Sequence, residues 1–351
     1  MNLYKALLLS ATVALCVGVG GRALAAESKL SAADLHTHSY CSDGVKTPEQ
    51  VAEDVKRAGL KAFALSDHDA VACLARAGKK AAKLGLRFIP AVEMSAENDV
   101  HVLALGIDPE SPAVAAVLKA NSEERRARMD KIVAKLAEAG APVDLVQDVL
   151  LPKLNRELAA DGKKTLEAKE AAALGAEELF KRIHGQITRP DVARALVARG
   201  YVADNNEAFR KYLANPKTAE VPMNGPSFKT VIDMAHAAGG IAILAHPWTI
   251  MKGKFPVTYS SATYASFEEL ADGLIAMGLD GFEQYFPHPN AETEGRVQAV
   301  VDAYAAKGKE LLLTPGSDYH GGRKQAGAGP DAPGGIVAPA EKVKRVLERL
   351  K

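Results

Sequence analysis

The sequence predicts an α/β protein built as a (β/α) barrel with a helical subdomain inserted into it. Three observations carry that expectation. Short apolar runs recur, each followed by a polar cluster and a segment of helical periodicity, the pattern of parallel strands joined by crossover helices. Six of the nine histidines lie on or just past those runs, and polar residues collected at strand ends favour a barrel over an open sheet. Between residues 111 and 225 the strand signal disappears and amphipathic helical segments take over.

Taken in order, residues 1–25 read as a secretory signal peptide. Lys5 supplies the positive start, Ala6 to Val19 the apolar stretch, and "ALAA" at 23–26 a small-residue cleavage site. The apolar stretch falls short of the roughly 20 residues a membrane span needs, so no stable span is expected after cleavage and the product is periplasmic or secreted. Residues 30–110 form the first part of the barrel. There "LSAADLHTHS" precedes a helix over "TPEQVAEDVKRAG", with Thr47 as N-cap and Pro48 in the first turn. "KAFALSDHD" precedes the helix "AVACLARAGKKAAKLG", and "LRFIPAVEMS" and "DVHVLALGI" are neighbouring strands with a short connection. Residues 111–225 form the helical insertion, and 226–351 return to the barrel through "GGIAILAHPW", "GLDGFEQYF", "LLLTPGSDYH" and "GGIVAP".

Composition narrows the function classes. The formal charge is +1, and loss of Lys5 and Arg22 with the leader moves it to −1, which gives no bulk basic surface for nucleic acid. Aromatic residues make up 5% of the chain, with one tryptophan, which argues against an aromatic-lined groove for sugars or single strands. No GxGxxG or GxxxxGK[ST] follows any strand, so nucleotide-cofactor folds lose their usual support. Cys41 and Cys73 both sit just beyond strand ends and fit either one disulfide or two independent thiols.

The histidines point to metal chemistry. His36, His38, His68, His101, His246 and His320 sit at strand ends, accompanied by Asp43, Asp67, Asp69, Glu93 and Asp318. Imidazole with carboxylate is the ligand chemistry of Zn²⁺, Mn²⁺ or Fe²⁺. Residues i and i+2 of a strand share a face, so His36 and His38 can grip one ion, and Asp318 with His320 repeats the spacing toward one ion or two adjacent ones. The donor set exceeds what one ion takes, so two or three divalent ions are expected. Asp34 and Glu283 read as supports of ligand histidines, and Asp67 and Asp69 as supports or as the acid for the leaving group. His184 and His236 read as structural, and "RRAR" at 125–128 as a solvated helix face, with an RNA- or phosphate-facing role as the alternative.

"DLHTHSYCSDG", "LSDHD", "PAVEMS", "HVLALGI", "AHPW" and "GSDYHGG" together resemble the motifs of the PHP (polymerase and histidinol phosphatase) superfamily, from about residue 33 onward. The resemblance implies a distorted (β/α)₇ barrel and a di- or trinuclear centre that hydrolyses phosphoesters with a metal-activated hydroxide. It further implies that His36, His38, Glu93 and Asp318 hold one ion. Glu93, His101 and His246 would hold a second, and Asp43, His68 and His320 a third. The insertion, with "ITRPDVARALVARGYV", is similar to the branch of nucleoside 3′,5′-bisphosphate phosphatases and 5′–3′ exoribonucleases, so the expected substrate is a small phosphorylated compound or short RNA. Where that branch has Arg-Pro-His, this chain has Arg189-Pro190-Asp191, and "GFEQYFPHPN" also departs from its pattern. Arg189 is the expected phosphate-binding residue, with Arg323, Lys211 and His288 as weaker candidates.

Two other classes compete. An amidohydrolase-like barrel also opens with HxH on a strand, but it often adds a strand lysine where this chain has Glu93. A non-catalytic exported metal-binding protein would need neither a barrel nor an insertion at its mouth.

Overall fold

The computed structural model describes residues 28–253, 255–287, 291–322 and 332–350; residues 1–25, where a signal peptide is expected, His288 and Arg323 lie outside them. Eleven strands are assigned among the described residues: β1 (Ser28–Leu30), β2 (Ala33–Asp34), β3 (Ala62–Leu65), β4 (Arg87–Ser95), β5 (His101–Leu105), β6 (Ile241–Leu244), β7 (Val257–Tyr259), β8 (Ala262–Tyr264), β9 (Gly281–Tyr285), β10 (Leu312–Pro315) and β11 (Val337–Pro339). Seven form one sheet in the order β10-β9-β6-β5-β4-β3-β2. Its edges approach closure, since Leu35 N donates to Pro315 O at 2.9 Å and His38 N to Tyr319 O at 2.8 Å.

Period-two burial explains the layers. Ala33, Ala62, Ala64, Ile89, Ala91, Leu103, Leu105, Ile241 and Ile243 pack together inside the barrel, with Val343, Val346 and Leu350 from the C-terminal helix segment. The alternate residues Val92, Met94, Val102, Ala104, Leu244 and Phe282 belong to a second core that includes the covering helices. The first helix, α1 (Pro48–Arg57), starts as its sequence requires: Thr47 accepts from Gln50 N, and Gln50 returns the bond in a capping box.

Two strand expectations change. β5 runs antiparallel to both neighbours, so the sheet is mixed rather than parallel. "GGIVAP" does not join the barrel; β11 pairs with β1 in a separate two-stranded sheet. A hairpin of β7 and β8 also appears, which no sequence signal announced.

After α2 (Leu74–Leu84), the long helix α3 (Pro112–Glu138) leads into the insertion. Val114 and Val117 near its start pack on the barrel, whereas Met129, Ile132 and Leu136 enter a separate cluster with Leu150, Leu154, Leu196 and Leu213. One continuous helix thus serves two cores and fixes the insertion against the barrel mouth. The cluster also takes in α4 (Leu151–Ala160), α5 (Ala168–Arg182) and α6 (Arg189–Ala198). Among the described residues no helix is long and apolar enough to cross a membrane.

Candidate metal centre

Glu93 stands at the centre. It follows Ile89 and Ala91 on the inward face of β4 and is fully buried. One oxygen lies 2.8 Å from His101 Nδ1 and 2.8 Å from His246 Nε2. The other lies 3.1 Å from His36 Nε2, 3.3 Å from His38 Nε2 and 3.0 Å from His68 Nδ1. Asp318 adds a carboxylate 3.4 Å from His36 and 3.2 Å from His38. Asp43 stands 3.1 Å from His320 Nε2, 3.6 Å from His68 Nε2 and 3.9 Å from His38 Nδ1.

Topology explains the convergence. The parallel strands end at one rim and pass directly into His36, His68, His246 and Asp318. Because β5 is reversed, its first residue, His101, reaches the same rim, opposite Ser95. The i, i+2 pair Asp318 and His320 divides: Asp318 faces His36 and His38, and His320 faces Asp43. His246 and Asp318 have φ of 28° and 54°, left-handed values that cost free energy in non-glycine residues and persist where surrounding bonds enforce them.

Those bonds come from the expected supports. Glu283 Oε1 lies 3.1 Å from His36 Nδ1, and its Oε2 accepts from His246 N at 2.6 Å. With Nδ1 turned to Glu283, Nε2 of His36 is the nitrogen left for an ion. Asp34 is buried and accepts from Ser317 N, Ser317 Oγ and Gly334 N, so it braces the loop that carries Asp318. Asp67 accepts from Ser39 N, Ser39 Oγ and Ser42 Oγ. Asp69 accepts from Ser95 N and Asn121 Nδ2 and is gripped by Arg125 at 2.5 and 2.8 Å. Both aspartates are buried and each accepts several hydrogen bonds, which fits the supporting role expected for them.

The electrostatics match a cation site. Burial opposes charge on His36, yet Glu93, Glu283 and Asp318 outweigh it and hold the imidazole well above its ordinary value. Burial is likewise overcome at His38 by Asp318 and Glu93, which push it up to about 10. Conversely, the surrounding histidines overcome burial and hold Glu93 and Asp43 well below the carboxylate range. His101 goes the other way, because burial prevails over Glu93.

Among the described residues, His36 Nε2, His38 Nε2, Asp43 Oδ1, His68 Nδ1 and Glu93 Oε2 are buried without a hydrogen-bond partner. Leaving such atoms unsatisfied costs about 1–3 kcal/mol each. Five of them facing one another make a donor set that fits divalent ions. Among the described residues four groups place their donor atoms within 4.8 Å of one another: His36, His38, Glu93 and Asp318; His38, Asp43, His68 and His320; His68, Glu93 and His101; and Cys41, Asp67 and Cys73. No thiolate contributes, because Cys41 and Cys73 are joined in a disulfide.

Beside the ligand cluster lies a cavity of about 150 Å³, walled by Asp43, His68 and His101 on the barrel side and by Arg125, Arg128, Arg189 and Phe209 from the insertion. Here a sequence expectation is corrected. Arg125 and Arg128 of "RRAR" are buried, not solvated. Arg128 pairs with Asp99 at 2.9 Å and donates to Val221 O. Arg189 stands 3.7 Å from Asp99 with its guanidinium over the Phe209 ring. Asp99, Asn121, Phe209 and Trp248, whose ring meets His246 and Phe286, were not among the expected site residues, although Trp248 lies in the "AHPW" motif. Lys211 is directed to Tyr201 O and lies over Tyr212, away from the cavity. His236 pairs with Asp280 and His184 stands near Asp161, both outside the cluster.

Comparison with known proteins agrees with this chemistry. Residues 34–282 match the family model described as the PHP domain. A 5′–3′ exoribonuclease of Haemophilus influenzae is 31% identical over 291 residues, 82% of this chain and 89% of its own length. A 3′,5′-nucleoside bisphosphate phosphatase of Chromobacterium violaceum is 33% identical over 290 residues, 82% and 86% of the two chains. A solved structure described as that of a metal-dependent phosphoesterase from Bifidobacterium adolescentis superposes with a TM-score of 0.70 at 25% identity, over 92% of this chain and 98% of its own. The chain belongs to the PHP domain family and is a metal-dependent phosphoric ester hydrolase.

Proposed function

We propose that the protein is an exported phosphoesterase with a three-ion centre, acting on nucleoside 3′,5′-bisphosphates or on short 5′-phosphorylated RNA. The observation that carries this reading is the convergence of five unpartnered buried donor atoms beside an arginine-lined cavity. His36, His38, Glu93 and Asp318 would hold one ion, Glu93, His101 and His246 a second, and Asp43, His68 and His320 a third. Mn²⁺, Zn²⁺ and Fe²⁺ all suit such nitrogen and oxygen donors. When bound, divalent ions supply a strong nucleophile from water near neutral pH and neutralise charge on phosphoryl oxygens.

The protein's own groups provide orientation. Glu283 holds the rings of His36 and the backbone of His246 in place, while Asp67 and Asp69 fix the loops that bear His38 and His68. Arg189 is the guanidinium with the least committed pairing in the cavity, and it binds a phosphate not undergoing cleavage. Phe209 offers a flat apolar wall for the remainder of the substrate. The relatives named for bisphosphate and RNA substrates support this assignment. The leader at residues 1–25 and the Cys41–Cys73 bond support export, since disulfides persist in oxidising compartments.

Two substitutions probe the reading. Arg189→Ala raises KM for adenosine 3′,5′-bisphosphate at least about tenfold, the scale of one charge-assisted contact, and leaves a simple monoester unaffected. Equal effects on both substrates would remove Arg189 from substrate binding. His38→Ala abolishes turnover while far-ultraviolet circular dichroism stays native, because the ring packs against His68, His320, Glu93 and Asp318 rather than the apolar core; a fully active variant would refute its role.

The decisive experiment separates and identifies the hydrolysis products (inorganic phosphate, nucleotides, alcohols or amines) formed by residues 26–351 loaded with Mn²⁺, Zn²⁺ or Fe²⁺. The panel holds adenosine 3′,5′-bisphosphate, short 5′-phosphorylated RNA, simple phosphate mono- and diesters, and a simple amide and carboxylic ester. Preference for the first two supports the reading. Turnover of generic esters alone retains the phosphoesterase and rejects the nucleotide pocket. Hydrolysis confined to amides or carboxylic esters would favour an amidohydrolase-like enzyme, and metal binding without turnover a binding protein.

A further inference from the structure

The segment Tyr40–Asp43 connects His38 to Asp43, and it lies outside any strand. Each of its four carbonyls nevertheless accepts a bond from the insertion. Lys153 Nζ donates to Tyr40 O, and also to Ser42 O at 2.5 Å. Gln186 N donates to Cys41 O at 2.9 Å, and Arg194 Nη2 to Asp43 O at 2.8 Å. Gly185 lies so close that an added Cβ would stand 1.6 Å from Cys41 O. The Cys41–Cys73 bond ties the same segment to the start of α2.

We propose that the insertion is a positioning device for one side of the metal centre, in which Lys153 and Arg194, with the Cys41–Cys73 bond, hold Asp43 against His68 and His320. The inference rests on the three-ion reading above. Lys153 is a fully buried ammonium whose nearest carboxylate is Glu157 at 3.7 Å. Burying such a charge is costly unless it is paired and hydrogen-bonded, and the two loop carbonyls complete its shell. Arg194 is itself aimed by Asp191 at 2.9 Å, and Asp191 is held by Thr188 and by Arg156 at 2.6 Å. The departure at Asp191 therefore falls on the clamp rather than on the cavity.

The effect is selective because the other ligands stand on the barrel. Glu93 lies within β4, His101 opens β5, and His36 and His38 are bracketed by backbone bonds to the segment after β10. The insertion reaches the neighbourhood of His68 through Asp69, by Asn121 and Arg125, whereas it accounts for a bond to every carbonyl from Tyr40 to Asp43. Lys153 and Arg194 touch neither donor atoms nor cavity; they act through the backbone.

The test counts ions. Protein loaded with Mn²⁺ and desalted is analysed by plasma mass spectrometry, and the weakest ion is titrated calorimetrically. Wild type is expected to retain three ions. Arg194→Gln and Lys153→Met are expected to weaken the last ion at least about tenfold, the usual effect of removing a group that orients a ligand, and to keep two. Arg194→Lys, which still reaches a carbonyl, restores the third. Joint replacement of Cys41 and Cys73 by serine acts in the same direction. Lys153→Met leaves Glu157 without its cation, so if that variant fails to fold, Arg194→Gln, at a partly exposed residue, decides. Three ions of unchanged affinity in Arg194→Gln, or loss of all ions together, overturns the inference. Fewer than three in wild type overturns the three-ion reading before any substitution is made, and the inference with it.

Discussion

Glu93→Gln lowers phosphoesterase turnover by at least about a thousandfold while the protein stays folded. Five imidazoles surround this one carboxylate at 2.8 to 3.3 Å, and both of its oxygens are shared between histidines. Glutamine preserves the volume of a fully buried side chain, so the barrel loses little packing. What it removes is the anion that offsets cationic charge at every point of the cluster. Losing several kcal/mol of charge stabilisation, at 1.36 kcal/mol per tenfold in rate, gives the stated magnitude. The check is kcat with each metal, alongside metal content. Activity within tenfold of wild type at full metal content would show that Glu93 is no ligand.

Gly316→Ala is expected to damage stability and activity together. Gly316 follows β10, and a Cβ there would stand 1.9 Å from Glu283 Oε1 and 2.7 Å from the Cβ of His36. Neither neighbour has room to move. Glu283 is buried and held by His36 and His246, and His36 is fixed between the first and last strands of the sheet. The methyl group must push Glu283 away from both histidines. Overpacking and the loss of a buried charged bond together cost about 3 kcal/mol or more. Thermal unfolding of the metal-free protein reads the stability loss without any contribution from ions. An unchanged midpoint with native metal content would show that the site tolerates displacement of Glu283.

The candidate donor residues could be named from the sequence because much of their spacing is local. His36 and His38 stand two residues apart just past β2 and both reach Glu93, Glu93 continues the inward face of Ile89 and Ala91, and Thr47 to Gln50 caps α1 from its own four residues. The apolar runs likewise located the barrel strands, because strands buried on both faces need uninterrupted apolar residues. The helical run beginning near residue 112 announced the insertion through its period alone.

The remainder depended on contacts between distant segments. No local pattern states that β5 runs antiparallel, yet that reversal brings His101 to the ligand rim. Charged residues on a helix normally face water, so "RRAR" read as solvated. Arg125 and Arg128 turn inward because Asp69 and Asp99, far away in the chain, offset the cost of burying guanidinium groups. The same holds for Asp67 and Asp69: their sequence position beside His68 leaves several roles open, and only the donors around them, from Ser39, Ser42, Ser95, Asn121 and Arg125, make them anchors. Cys41 and Cys73 had one possible pairing, but bonding requires two loops to meet, which the barrel brings about. The sequence by itself named the candidate metal-binding residues and placed them at the ends of apolar runs. The tertiary structure decided which of those residues face one another and which charges are buried beside them, because long-range packing sets the energy of a buried charge.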